Sequence, residues 1–290
     1  MGHEINTVYT LTAPSGAVAV FNDDTDPDFA GYLTKIDKRW PGVRGGDQDR
    51  TAGHGGIQGA RKWQSRLFIC EGFIQSLPID DRLEQIERLM LANEALDGDA
   101  TLSWTDAASV DRQIMYLRLE PEHEIGGDLP KNFQFILRSK DYREYSQTIN
   151  SETASFVAVT TGGITFPISF PFSFGGGTLV GNLTCTNAGN QPSPPKIRID
   201  GPCLNPVIYS AENDAYMRID YDLPAGDYLE LERAADYPVK LNGTDDLYRV
   251  FDDANSTWWE LLPGDNDIRI YADAYDATGG VTVYWRDAWL

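Results

Sequence analysis

From about residue 180 onward the chain is cut into short runs of β-branched and aromatic residues, near 180–187, 196–201, 216–221, 228–233, 238–241, 268–272 and 281–286. Gly, Pro, Asn and Asp stand between the runs at fairly regular intervals. Segments this short cannot form helices of useful length, and evenly spaced strands with turn residues between them are the signature of a sandwich or barrel. Three further runs, 61–75, 112–122 and 132–142, extend the same pattern into the first half.

One segment departs from it. In SLPIDDRLEQIERLMLANEALDG, Leu83, Ile86, Leu89 and Met90 recur at the spacing that lines one face of a helix. Pro78 suits a first turn, Asp80 and Asp81 suit the positive end of the helix dipole, and Gly98 suits the left-handed position that ends a helix. With 290 residues, two domains are expected at ~100–200 residues each. The fold class that follows is mainly β: an N-terminal β-rich domain with one α-helix over 1–150, then a linker and a C-terminal β-sandwich over 151–290.

Two stretches lie outside the strand pattern. Residues 42–59 hold seven glycines in eighteen positions, which predicts a long loop, and long loops tend to carry contacts. Gly45, Gly46, His54, Gly55 and Gly56 are its candidate interface residues. Residues 151–177 pass from small polar residues into a Phe/Pro run and end in three glycines, and read as the connection between domains. Phe166, Phe170, Phe172 and Phe174 are too apolar to remain in water and are expected to pack on a domain or a neighbouring subunit.

Charge narrows the function classes. Lys and Arg total 24 against 44 acidic residues, a net charge of −20. The first 150 residues carry 16 basic and 24 acidic side chains and the remainder 8 and 20, so both parts are acidic. Such a surface repels phosphate backbones, which argues against specific nucleic-acid binding. No window approaches the ~18 uninterrupted apolar residues of a membrane span, and the N-terminal residues do not read as a signal peptide. No membrane partner is expected, and the chain is expected to stay soluble where it is made. Cys70, Cys185 and Cys203 are spaced neither as zinc ligands nor as a disulfide framework and read as buried thiols. The sequons at Asn182, Asn242 and Asn255 read as chance matches in turns.

Tests for catalysis fail. The histidines are His3, His54 and His123, the last two in a Gly-rich loop and an acidic turn that suit solvated side chains rather than a preorganised base. No nucleophile elbow, P-loop or zinc-protease motif occurs. In SPPK, residues 193–196, two prolines forbid the helical turn that would bring Lys196 under Ser193. The acidic runs at 23–28 and 264–267 read as solvated turns rather than calcium loops, because the EF-hand glycine and terminal glutamate are missing. No catalytic, cofactor-binding or metal-binding residue is assigned.

The aromatics Trp258, Trp259, Tyr271, Tyr275, Tyr284, Trp285 and Trp289 allow two readings. Alternate members fill a sandwich core, or Trp258, Trp259, Trp285 and Trp289 form a platform on which sugar rings stack. The second makes the C-terminal domain a carbohydrate-binding module for host surface glycans and is the alternative functional reading.

From residue 187 to the end of the chain, an ordered set of landmarks carries a resemblance. They are NAGNQPSPPKIRIDGPCLNPVI (187–208), LPAGDYLELE (223–232) with VKLNG (239–243), WWELLPGDNDIRI (258–270) and VTVYWRDAWL (281–290). In order and spacing they resemble the distal tail proteins of long, non-contractile-tailed bacteriophages. The resemblance implies a structural, non-enzymatic virion protein of the tail tip, assembled in the bacterial cytoplasm. It implies an N-terminal belt domain that assembles as a six-fold ring and a C-terminal sandwich of galectin-like or carbohydrate-module-like form. The implied partners are five further copies of the chain, the tail-tube protein, the tail-associated hub or fibre protein and the tape measure protein, with DNA passing through the ring without specific binding. The chain lacks a long insertion of the kind that adds a receptor-binding module.

Overall fold

A computed structural model describes residues 7–45, 48–49, 56–57, 62–74, 99–106, 108–126, 131–157, 178–235 and 237–290. The expected helix at 78–98 and the Phe/Pro run at 164–174 lie outside these residues. The chain forms two compact units that divide between Gln147 and Thr148. Described helix is limited to a single 3-10 turn, Tyr248–Val250, and the rest of the regular structure is strand.

The first unit holds β1 (Tyr9–Thr12), β2 (Val18–Phe21), β3 (Phe29–Lys38), β4 (Val43–Arg44), β5 (Gln48–Asp49), β6 (Gly56–Ile57), β7 (Lys62–Trp63), β8 (Arg66–Ile74), β9 (Ala100–Thr105), β10 (Asp111–Gly126), β11 (Lys131–Ser139) and β12 (Glu144–Ser146). Its main sheet runs β11-β8-β3-β2-β1-β9-β10-β12, and β10 also pairs with β11. The length of β10 makes this double pairing feasible. Residues from Asp111 to Leu117 lie against β9, and those from Leu117 to Gly126 lie against β11. The run from β11 round to β10 thereby closes on itself, so β11 is paired on both sides instead of ending the sheet as a free edge. Strict alternation along β8, from Arg66 to Ile74, turns Phe68, Cys70 and Ile74 inward. They meet Leu33, Ile36, Leu102, Ile114 and a cluster of Phe21, Phe133 and Phe135 whose ring centroids lie 5.9 to 6.0 Å apart. Gly72 is required here, because a Cβ would collide with the Tyr32 carbonyl and the Phe133 ring.

The second unit holds β13 (Asn150–Ser155), β14 (Thr178–Asn187), β15 (Lys196–Asp200), β16 (Cys203–Leu204), β17 (Val207–Ser210), β18 (Ala215–Arg218), β19 (Asp222–Leu223), β20 (Tyr228–Leu231), β21 (Val239–Leu241), β22 (Asp245–Asp246), β23 (Gly264–Ala272), β24 (Ala274–Tyr275), β25 (Gly280–Trp285) and β26 (Ala288–Trp289). One sheet runs β13-β25-β15-β20-β21-β22, another β14-β23-β17-β18, and a small third β19-β16-β24. Inward residues of the two larger sheets, among them Ile197, Leu229, Val281, Val283 and Ile208, Met217, Ile268, Ile270, share one core. This is the sandwich that the spacing of the runs predicts.

Three local readings are corrected. Residues 150–155 are strand rather than linker, paired throughout with β25. NSETAS has no apolar alternation because most of its side chains are exposed, and the strand is held by its partner's backbone and by Thr153 Oγ1 with Thr282 Oγ1 at 3.0 Å. Residues 264–267 begin strand β23 rather than forming a turn, and Asn182 sits in strand β14. The Gly-rich segment also contains short strands, β4 pairing with β7 and β5 with β6. The expectation for the cysteines holds: all three are free thiols in the interior, each pushed up to about 12 by burial.

Two asparagines, both 0% exposed, tie one end of the sandwich. Asn187 Nδ2 donates to the carbonyls of Gln191 (2.8 Å) and Leu261 (3.1 Å), and its Oδ1 accepts from the amides of Gly189 (3.0 Å) and Ala288 (3.3 Å). Asn266 Nδ2 donates to Cys185 O (3.2 Å), Leu262 O (2.8 Å) and Gly264 O (2.9 Å), while Oδ1 accepts from Leu262 N at 2.8 Å. A carboxamide offers two donors and an acceptor with two lone pairs, so Asn187 is fully satisfied. Gly189 must be glycine because a Cβ would overlap the backbone of Ala288. Removing either side chain strands buried backbone groups, each costing about 1–3 kcal/mol. Asn266→Ala is therefore expected to destabilise the second unit by about 3 kcal/mol, read as a lowered urea midpoint by tryptophan fluorescence; an unchanged midpoint would show that the carboxamide is dispensable.

Candidate functional site

The chemically distinctive region of the first unit lies where β3 ends, β8 begins and β12 passes. Lys38, the last residue of β3, places Nζ 3.3 Å from the centroid of the Trp104 ring and 3.9 Å from Glu144 Oε1. Arg66 opens β8 and reaches the same carboxylate oxygen at 3.2 Å, while its Nε and Nη1 donate to the carbonyls of Arg39 (3.1 Å) and Tyr142 (3.4 Å). Arg112 on β10 approaches Glu144 Oε2 at 3.8 Å and pairs with Asp106 Oδ2 at 2.7 Å. Asp106 is held in turn by the amides of Ala108 and Val110, at 2.9 and 3.0 Å.

Three cations thus share two carboxylates in a largely dry setting, the side chains of Lys38, Arg66 and Glu144 being 8 to 10% exposed. Burial pulls the Lys38 ammonium down to about 8; Glu144 opposes that shift, and the neighbouring Arg66 and Arg112 reinforce it. Burial also lowers Arg66, against the pull of Glu144. For Asp106 burial acts upward, but the hydrogen bonds from Val110, Arg112 and Ala108 outweigh it and hold the carboxyl low. A cavity of about 1150 Å³ adjoins the cluster and is also lined by Lys35, Arg39 and Trp40. The geometry suits charge-assisted fastening of four strands: Lys38 of β3, Arg66 of β8 and Arg112 of β10 all reach Glu144 of β12.

Beyond the cluster the chain runs into Trp40, 74% exposed, and then into the β4–β7 ribbon, in which Val43 faces Trp63 and Arg44 faces Lys62. All four ribbon residues are exposed, and Trp63 stacks against Tyr142 at 5.9 Å. A second cavity of about 500 Å³ is lined by Trp40, Trp63, Arg39, Arg44 and Arg138. Sequence reasoning selected the glycines of this segment and missed the flanking Trp40, Arg44, Lys62 and Trp63. The available signal was a tryptophan beside basic residues at each end of a Gly-rich stretch. Lys38, Arg66, Arg112 and Glu144 had no such signal, being scattered over more than a hundred positions.

Of the residues selected from sequence, Gly45 is exposed and follows β4, and Gly56 opens β6. Gly46, His54, Gly55, Phe166, Phe170, Phe172 and Phe174 lie outside the described residues, as does His3. His123 falls within β10, opposite Phe135. In the second unit Trp259 and Trp285 are core residues, 4% and 5% exposed, and Trp285 Nε1 donates to Thr186 O at 3.1 Å. Trp258 stacks on Phe251 with centroids 4.8 Å apart, and Trp289 is half-buried on β26. Two of the four rings therefore offer no face to a ligand. In the acidic turn, Asp23 Oδ1 accepts from the amide and hydroxyl of Thr25, Asp26 Oδ1 accepts from Asp28 N, and Asp24 Oδ2 accepts from the Tyr32 hydroxyl at 2.9 Å.

Residues 188–289 match the family of siphovirus-type tail components, over its C-terminal domain. The matched residues lie within the second unit. The whole chain has the fold of the SPP1 phage Dit protein, described as a paradigm of the hub adsorption apparatus in phages infecting Gram-positive bacteria: TM-score 0.62, 13% identity, with 97% of this chain and 99% of that chain covered. The resemblance to distal tail proteins seen in the sequence is thus borne out over residues 188–289, and the fold is Dit-like. Two phage P2 baseplate chains, from activated conformations with Ca and with Sr, align at TM-scores of 0.47 and 0.46 with 9% and 11% identity, over 96% of this chain and 97% of theirs. No curated protein sequence matches.

The charge cluster makes a pH prediction. A lysine that ionises at about 8 when folded and at 10.5 when unfolded binds fewer protons in the folded state between those values, so its cost to stability fades as pH rises through that window. Lys38→Met is expected to remove this contribution, so that any stability advantage of the variant over the parent shrinks from pH 7 to pH 10. Urea midpoints of both proteins across that range check it, and a constant difference would contradict it.

Proposed function

We propose that the protein is the distal tail protein of a long-tailed phage, forming a hexameric ring at the tail tip that joins the tail tube to the hub or fibre proteins below. The observation that carries this reading is the match of the second unit to a tail-component family, on a chain whose whole length follows the Dit fold. In this reading the first unit builds the ring and the second, the sandwich, projects from it. The role is structural and needs no catalytic residue. Assembly takes place in the host cytoplasm, with the tail-tube, hub or fibre, and tape measure proteins as partners. The burial of Trp259 and Trp285 weighs against a sugar-stacking platform and in favour of a scaffold. The pairing of β11 back onto β10 supports the same reading, because it leaves β11 paired on both sides and closed to uncontrolled strand addition.

A head-to-tail interface that closes after six copies gives a ring. Light scattering of the purified protein, followed by negative-stain averages, is expected to give about six chains around a central opening. A protein that stays at one chain up to its solubility limit and shows no rings in stain overturns the reading. With a net charge of −20, the ring wall repels the DNA that passes through it. Lysines introduced at positions lining the opening are accordingly expected to slow DNA ejection, and ejection at the parent rate would contradict the repulsive lumen.

A further inference from the structure

The β4–β7 ribbon is costly as an isolated feature. Arg44 and Lys62 stand directly opposite each other across the strand pair, an arrangement in which like charges repel. Neither makes an ion pair among the described residues. On the same ribbon Val43 and Trp63 are 51% and 43% exposed, next to Trp40 at 74%. Exposed Trp and Arg together are the composition of interface hot spots, and their clustering on a short ribbon makes a patch rather than scattered surface residues. In a chain of net charge −20, a cationic aromatic patch marks a place where an anionic surface is received.

The same unit presents such a surface. The turn preceding β3 carries Asp23, Asp24, Asp26 and Asp28, of which Asp24 and Asp28 are the most exposed. The ribbon follows the other end of β3. Ten residues of strand separate the two features, about 30 Å at 3.3 Å per residue. One chain therefore cannot fold its acidic turn onto its own ribbon, but two copies can join head to tail.

We infer that the Trp40–Arg44–Lys62–Trp63 ribbon is the receiving half of the contact between adjacent copies of this chain, and that the Asp23–Asp28 turn of the neighbour is the inserted half. This deepens the ring reading and rests on it. The contact is heterologous, the class that closes into rings. Insertion neutralises the facing Arg44 and Lys62 and covers the exposed tryptophans, so both penalties of the isolated chain are relieved by assembly.

The test measures the mass of the full chain by light scattering over a concentration series, at about 50 mM and about 500 mM salt. Arg44→Glu with Lys62→Glu, and separately Trp40→Ala, are expected to raise the half-assembly concentration about tenfold or more, the charge effect shrinking at high salt. Adding Asp24→Lys and Asp28→Lys to the Arg44→Glu, Lys62→Glu chain reverses both halves of every contact and is expected to restore assembly. Thermal unfolding midpoints close to the parent's confirm that the variants fold, as exposure of these residues implies. If the parent forms rings and the ribbon variants assemble equally well, the ribbon assignment is overturned while the ring stands. The same holds if the variants form rings but fail to join tails, which would move the ribbon to a junction with another tail protein. If the parent does not assemble at all, both the ring and this contact fall.

Discussion

Every strand of a β-rich protein has to satisfy the backbone groups along its length, and in the first unit that requirement is met by the sixteen residues of β10. Its first half pairs with β9 and its second with β11, which brings the β11 end of the main sheet back onto β10. The inward phenylalanines of β2 and β11, the Gly72 approach and the seat of the charge cluster all depend on that closure. Without it β11 would present a free edge, an unspecific site for strand addition.

The second unit meets the same requirement differently. Its sheets stay open, and the loops at one end are held by side chains instead of strands. Asn187 and Asn266 act as short crosslinks between β14, the 261–264 turn and the segment leading into β26. Both stand inside the sequence landmarks quoted above, Asn187 in NAGN and Asn266 in LLPGDN, and in each the buried carboxamide takes the place of missing backbone partners.

Charge plays separate parts in the two regions of the first unit. In the interior Lys38, Arg66 and Arg112 gather around Glu144 and Asp106, which offsets part of the cost of burying these ions and leaves Lys38 with a net penalty. On the surface Arg44 and Lys62 have no such partners among the described residues, and the resulting repulsion is what singles the ribbon out.

The strands of the sandwich were legible because Ile197, Ile199, Leu229, Leu231, Val281 and Val283 alternate with half-buried neighbours, and a period of two leaves a mark in any sequence. The buried state of the cysteines and the tail-component landmarks were legible for the same local reason. Strand β13 was not, because its side chains face water on most positions and only its partner defines it. Residues 264–267 looked like a turn because Gly, Asp and Asn are turn formers in isolation; in the folded chain Asn266 spends its hydrogen bonds on the turn beside it and the backbone continues as strand. By itself, then, the sequence determined the β class, the alternating cores, the acidic character and the resemblance of its C-terminal residues to tail components, all properties written in neighbouring residues. Only the tertiary structure decided sheet closure, the Glu144 cluster and the exposed like-charge ribbon, because each depends on residues distant in the chain that meet through backbone pairing, and backbone pairing carries no side-chain signature.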